Sequence, residues 1–175
     1  MPINHQVEDM KILTLAAAAS LVAAQPYADI RVQFDEGAPK DRFTITRTGD
    51  CDLGASVVVL DLSGSTHGLI FDVTGSGQGV EVYQPFELVT GADLLTSQPT
   101  VRDGDQVIRL ALGPLASGES VAFTIDVDDT AGAREITVSD SEIQGATVRV
   151  ETAGEVFSAA FDRGAQADVR IGGTC

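Results

Sequence analysis

A chain of 175 residues with 43% apolar side chains can fill one hydrophobic core and is short for two. Its formal charge of −15 and isoelectric point near 4.2 repel phosphate backbones and anionic lipid heads, which argues against a nucleic-acid partner and favours cations or basic proteins.

The first predicted element is a leader. Met10-Lys11 followed by ILTLAAAASLVAA gives a single charge and then an apolar run too short to span a bilayer, the pattern of a secretory signal peptide. Translation then starts at Met10, and MPINHQVED is an upstream extension. Cleavage fits after Ala24, with Val22 and Ala24 as the small flanking residues, or after Ala28, directly before a strand pattern. We take 1–28 as extension plus leader and 29–175 as one domain, exported to the periplasm, the cell surface or the medium. No transmembrane segment is expected once the leader is removed. What remains carries 10 basic and 24 acidic groups.

From Asp29 onward the apolar period is two. IRVQF alternates Ile30, Val32 and Phe34, and RFTIT alternates Phe43 and Ile45. VVVLDL, Val57 to Leu62, is apolar on both faces and predicts a central strand. VEVYQPFEL reads as a further strand, and QVIRLAL sets Ile108, Leu110 and Leu112 against Val107, Arg109 and Ala111. SVAFTIDV sends Val121, Phe123, Ile125 and Val127 to one face, and ATVRVE opposes Val148 and Val150 to Thr147, Arg149 and Glu151. Turn signals such as TGDCDLG, TGSGQG, RDGDQ and TAGE separate these runs and use most of the 18 glycines. No window has helical spacing. The pattern predicts an all-β, antiparallel β-sandwich, immunoglobulin-like, of roughly 9–11 strands.

Two cysteines, Cys51 and the terminal Cys175, suit an oxidising compartment and pair most economically with each other. Such a bridge closes a long loop and stabilises by roughly 4–5 kcal/mol on the chain-entropy view. The alternative is an intermolecular bridge through Cys175.

Among candidate sites the stretch TIDVDDTAGAREI stands out. With Ile125 and Val127 facing the core, Asp126 and Asp128 are expected on the solvent face of one strand, about 6.6–7 Å apart. Asp129 enters the turn and Glu135 begins the return strand, with Asp140 and Glu142 as further acidic neighbours. Carboxylates gathered beside a turn suit Ca²⁺, which takes six to eight oxygens in loose geometry. The competing reading is a solvated acidic hairpin tip with Arg134 as counter-charge. TGSGQG resembles a phosphate-cradling loop but precedes a strand rather than a helix, so it reads as a hairpin or bulge. RDGDQ is a tight turn in which Asp103 and Asp105 are minor metal candidates.

Catalytic constellations are sparse. His67, in the turn SGSTHG, is the one histidine left after the leader, and nothing selects a triad around it. A carboxylate-pair hydrolase stays open on residue counts, while the lack of tryptophan weakens a sugar platform.

The ordered segments FDEGAPKDRFTIT, TGDCDLG, LDLSGSTHGLIFDVTGSGQGVEVYQPFELV, VRDGDQ and SVAFTIDVDDTAGAREITVSDSEI resemble the small exported bacterial proteins named aggregation factor core, over roughly Val32 to Val150. LGPLASGESVAFTIDV also resembles the closing segment of bacterial immunoglobulin-like surface modules. The first resemblance implies a secreted adhesion or assembly role, with a protein or cell-surface partner, and a calcium dependence that falls to Asp126, Asp128 and Asp129. The leading expectation is therefore a non-enzymatic interaction module with Ca²⁺ as the one candidate cofactor. The alternatives are a periplasmic small-ligand or carbohydrate-binding module and a hydrolase with an unrecognised carboxylate pair.

Overall fold

The alternating apolar residues can leave water only if strands pair and two sheets stack. The computed structural model, which describes residues 1, 28–77, 79, 82–131 and 138–172, has this architecture. Ten strands are described: β1 (Ala28–Asp35), β2 (Asp41–Arg47), β3 (Ser56–Asp61), β4 (Ile70–Asp72), β5 (Glu87–Thr90), β6 (Val107–Leu112), β7 (Ser120–Asp128), β8 (Thr147–Thr152), β9 (Glu155–Ala160) and β10 (Gln166–Ile171). A short 3-10 turn over Leu62–Gly64, capped by Asp61, is the helical element among the described residues, and no helix there is long and apolar enough to cross a membrane. The leader, residues 2–27, lies outside the described residues.

One sheet runs β10-β1-β2-β7-β4, with β5 also paired to β7, and the other runs β6-β3-β8-β9. All the strand pairings are antiparallel. The sequence placed VVVLDL correctly: β3 lies between β6 and β8, with Val58, Val59 and Leu60 fully buried. Hairpin β8–β9 turns on Ala153 and Gly154, both at positive φ (48° and 82°). Its register Thr152↔Glu155 leaves just those two residues in the loop, where glycine is needed because a two-residue hairpin loop of this kind calls for positive φ.

The core fills the space between the sheets. Ile30, Val32, Phe43, Ile45, Phe123 and Ile125 face Val58, Leu60, Ile108, Leu110, Val148 and Val150, all with no exposed surface. Phe43 stacks on Phe123 at 5.3 Å, leans on Phe34 at 5.1 Å and meets Phe71 edge-on at 6.5 Å. Each such ring contributes about 1.5–3 kcal/mol by burial alone. The stretch VEVYQPFEL is only partly strand, because β5 begins at Glu87 and residues 82–86 carry no regular structure.

Strand β7 departs from its sequence pattern in a way that sets up the site. Its first half pairs with β2 on one side and β5 on the other, and its last residues take β4 as partner. Covered this way, it buries Ala122, Asp126 and Asp128 as well as the alternating apolar set.

Candidate metal centre

Strand β4 meets the end of β7 with Asp72 directly opposite Asp126, and Ile70 opposite Asp128. Directly opposed residues share a face of the sheet, and Asp128 joins that face two residues along. Asp72, Asp126 and Asp128 can each bring one carboxylate oxygen within 4.8 Å of the others. They are 0%, 3% and 2% exposed. This corrects the expected solvent face: Asp126 and Asp128 do share a face, but that face is roofed by the connection leaving β4 and by the turn before β6.

The surroundings of Asp72 and Asp126 hold few donors. Both oxygens of Asp72 and Oδ2 of Asp126 are buried, and among the described residues no hydrogen-bond donor reaches them. Among the described residues the carboxylates of Asp103 and Asp128 touch Asp72, and carboxylates that approach this closely must share protons or a cation. Two unit charges 4.8 Å apart repel by about 3–4 kcal/mol at an effective dielectric near 20. Burial is the main reason that Asp72 is pushed up to about 8, with the contacts from Asp103 and the charge of Asp128 adding to it. Burial likewise raises Asp126 to about 7, and the charges of Asp128 and Asp41 add to that.

Two further acids border the trio. Asp103 stands in the turn Arg102–Asp105, which Gly104 can form because it adopts a φ of 81°. That turn is held to β4 by hydrogen bonds from Phe71 N to Asp105 O and from Gly104 N to Phe71 O. Asp103 Oδ1 accepts from Val73 N at 3.2 Å and Thr74 N at 3.4 Å. Asp41, 1% exposed at the start of β2, accepts from Gly37 N and from Val127 N, both at 3.0 Å. It is pushed up to about 7, chiefly by burial and against those two hydrogen bonds.

The remaining expected ligands fall elsewhere. Asp129 is 8% exposed but lies outside the converging trio. Glu135 and Arg134 lie outside the described residues. Glu142 accepts from Ser139 N and faces His67 Nδ1 at 3.5 Å, while Asp140 N donates to Glu36, so neither joins the site. Asp105 accepts from Arg102 N and is spent on its own turn. The residue missed from sequence is Asp72. A single acid ending the apolar run LIFD was the available signal, since it follows two residues that must face the interior.

No family model matches the chain, and no curated protein matches it. Among solved structures it is similar to biomass sensing modules from putative RsgI-like proteins of Clostridium thermocellum, described as resembling a family 3 carbohydrate-binding module of the cellulosome. That match has 12% identity, covers 74% of this chain and 95% of the other, and has a TM-score of 0.30.

Cys51 is 8% exposed, and among the described residues no cysteine is free. Its expected partner, Cys175, lies outside the described residues. A second surface feature is an open groove of about 540 Å³ beside the β8–β9 turn, lined by Val57, Ala111, Leu112, Glu151, Thr152 and Val156 among others.

Proposed function

We propose that this chain is an exported, non-enzymatic β-sandwich that serves as an interaction module, with one end of the sandwich ordered by a divalent cation. The observation that supports this is the buried carboxylate trio: Asp72, Asp126 and Asp128 converge, and Asp72 and Asp126 keep buried oxygens that no donor among the described residues reaches. A bound Ca²⁺ would supply the missing counter-charge and would exploit the oxygen-only donor set. The proposed role is structural rather than catalytic, because the cation would sit among residues closed off from solvent. Adhesion at the cell surface or in the periplasm follows from the leader and from the resemblance of the ordered segments, and the proposed partner is a protein or cell surface. The bridge Cys51–Cys175 belongs to the same proposal. Intact mass with and without reduction tests it, and two titratable thiols in the unreduced protein would remove it.

The test of function is calorimetric titration of the disulfide-intact protein with Ca²⁺, followed by light scattering at saturation. Saturable binding with a rise in particle size supports a cation-dependent adhesion role. Binding with an unchanged monomer mass confines the cation to stability and leaves adhesion without support, and no heat of binding removes the cation.

The groove beside Ala153 and Gly154 favours a second reading, a small-ligand or carbohydrate-binding module, since it is concave and mixes aliphatic walls with Glu151 and Thr152. A thermal-shift panel of oligosaccharides and small metabolites separates the two, because a hit whose effect persists in chelator points to the groove.

A further inference from the structure

We infer that the cation site has a fourth wall, in which Asp103 supplies another carboxylate and the backbone at Gly77 and Gly79 closes over the oxygens, so that the site selects Ca²⁺ over Mg²⁺ and Zn²⁺. This rests on the reading of Asp72, Asp126 and Asp128 as a cation centre.

The run after β4, TGSGQG, is rich in glycine. A side chain cannot exist at either glycine without moving the acids. A Cβ on Gly79 would overlap the Asp72 carboxylate and stand 2.7 Å from Asp128 Oδ2, and a Cβ on Gly77 would overlap Asp103 Oδ2. The backbone at these two positions therefore lies against the carboxylates with no side chain between, the close approach that a glycine allows. A backbone segment in this position offers carbonyl oxygens, which are cation ligands, as readily as it offers N–H groups.

Asp103 is oriented for the same purpose. Its Oδ1 is held by the N–H groups of Val73 and Thr74, at the root of the glycine run, while its carboxylate touches Asp72. Asp103 is thus tied both to the trio and to the segment that covers it. One ion here would bind together the β4–β5 connection, the turn before β6 and the end of β7.

The donor set fixes the class of ion. Four carboxylates, with no imidazole or thiolate in the group among the described residues, suit a hard cation and not Zn²⁺, which prefers nitrogen and sulfur in a tetrahedron. Trio oxygens up to 4.8 Å apart match opposite positions around Ca²⁺, whose ligands stand at about 2.3–2.6 Å. Mg²⁺, with ligands at about 2.0–2.1 Å in a strict octahedron, would require β4 and β7 to draw together where trio oxygens stand near the 4.8 Å limit.

The experiment is calorimetric titration of the full chain with CaCl₂, MgCl₂ and ZnCl₂, using wild type, Asp72→Asn, Asp103→Asn, Gly79→Ala and the control Gly54→Ala, which has open space around its Cβ position. The expected result is Ca²⁺ binding at least tenfold tighter than Mg²⁺ or Zn²⁺, a tenfold or greater loss in Asp103→Asn and Gly79→Ala, and no change in the control. Asp103→Asn keeps the shape of the side chain, so it carries the test if Gly79→Ala does not fold by circular dichroism. Wild-type Ca²⁺ affinity in both wall variants would overturn the fourth wall while leaving the trio. Equal or tighter Mg²⁺ or Zn²⁺ binding would overturn the selectivity. Absence of Ca²⁺ binding in wild type, or its retention in Asp72→Asn, would overturn the cation centre itself.

Discussion

Replacing Asp72 by asparagine should stabilise the protein when cations are removed. In wild type, Asp72 faces Asp126 and Asp128 within 4.8 Å, and each repulsion between full charges is worth about 3–4 kcal/mol at an effective dielectric near 20. Proton uptake relieves part of this, and the rise of Asp72 to about 8 expresses the remainder as a cost of ionisation near neutral pH. Allowing for water entering the unloaded site, we expect Asp72→Asn to gain about 3 kcal/mol in chelator near pH 8. For a domain of this size that is a rise of roughly 6–12 °C in Tm. The substitution should sacrifice little, because among the described residues no N–H group bonds to either Asp72 oxygen. With Ca²⁺ at about a hundred times its Kd, wild type should gain about 2.7 kcal/mol that the variant does not, and the two melting curves should converge. Differential scanning calorimetry in chelator and in Ca²⁺ measures both arms. A variant less stable than wild type in chelator, or an equal Ca²⁺ response in the two proteins, would refute the reasoning.

The same pair of proteins carries a pH prediction. The folded values of Asp41, Asp72 and Asp126 stand above the ordinary 3.8, so the folded chain retains protons that the unfolded chain has released. Their contribution is fully present below about pH 4 and is lost as pH rises through about 7–8, the reverse of an ion-paired carboxylate. In chelator, wild type should therefore fall progressively below Asp72→Asn between those limits in urea denaturation, and a constant difference would sink this account. Phe43→Ala, which removes the ring touching Phe34, Phe71 and Phe123, should cost about 3–5 kcal/mol by chemical denaturation, and a cost under ~1 kcal/mol would mean that the stack is not part of the core. Arg47 is fully buried at the end of β2, with none of its guanidinium nitrogens hydrogen-bonded among the described residues. Arg47→Met should accordingly be neutral or more stable by about 1–3 kcal/mol in the same assay, whereas a marked loss would show that the guanidinium has a partner.

The alternation of apolar residues made most of the sandwich legible, because a period of two has one solution once the residues must be hidden from water. Ile30, Val32 and Phe34, or Ile108, Leu110 and Leu112, fall where their spacing puts them. Asp126 and Asp128 were readable as a pair on one face for the same reason. Their burial was not, since it depends on β4 lying beside the end of β7, and β4 has only three residues and no period of its own. Asp72 was overlooked for that reason. The glycine run TGSGQG reads as a hairpin or bulge, because local spacing shows where a chain bends and not what it bends over. The opposite error fell on VEVYQPFEL, where alternation suggested more strand than the four residues of β5.

The trio draws its members from positions 72, 126 and 128, which become neighbours only when β4 settles against β7. An ion held there has nothing to grip in a half-assembled chain. It would act as a latch on the finished object, lengthening the lifetime of the native state against unfolding while leaving the rate of reaching it almost untouched.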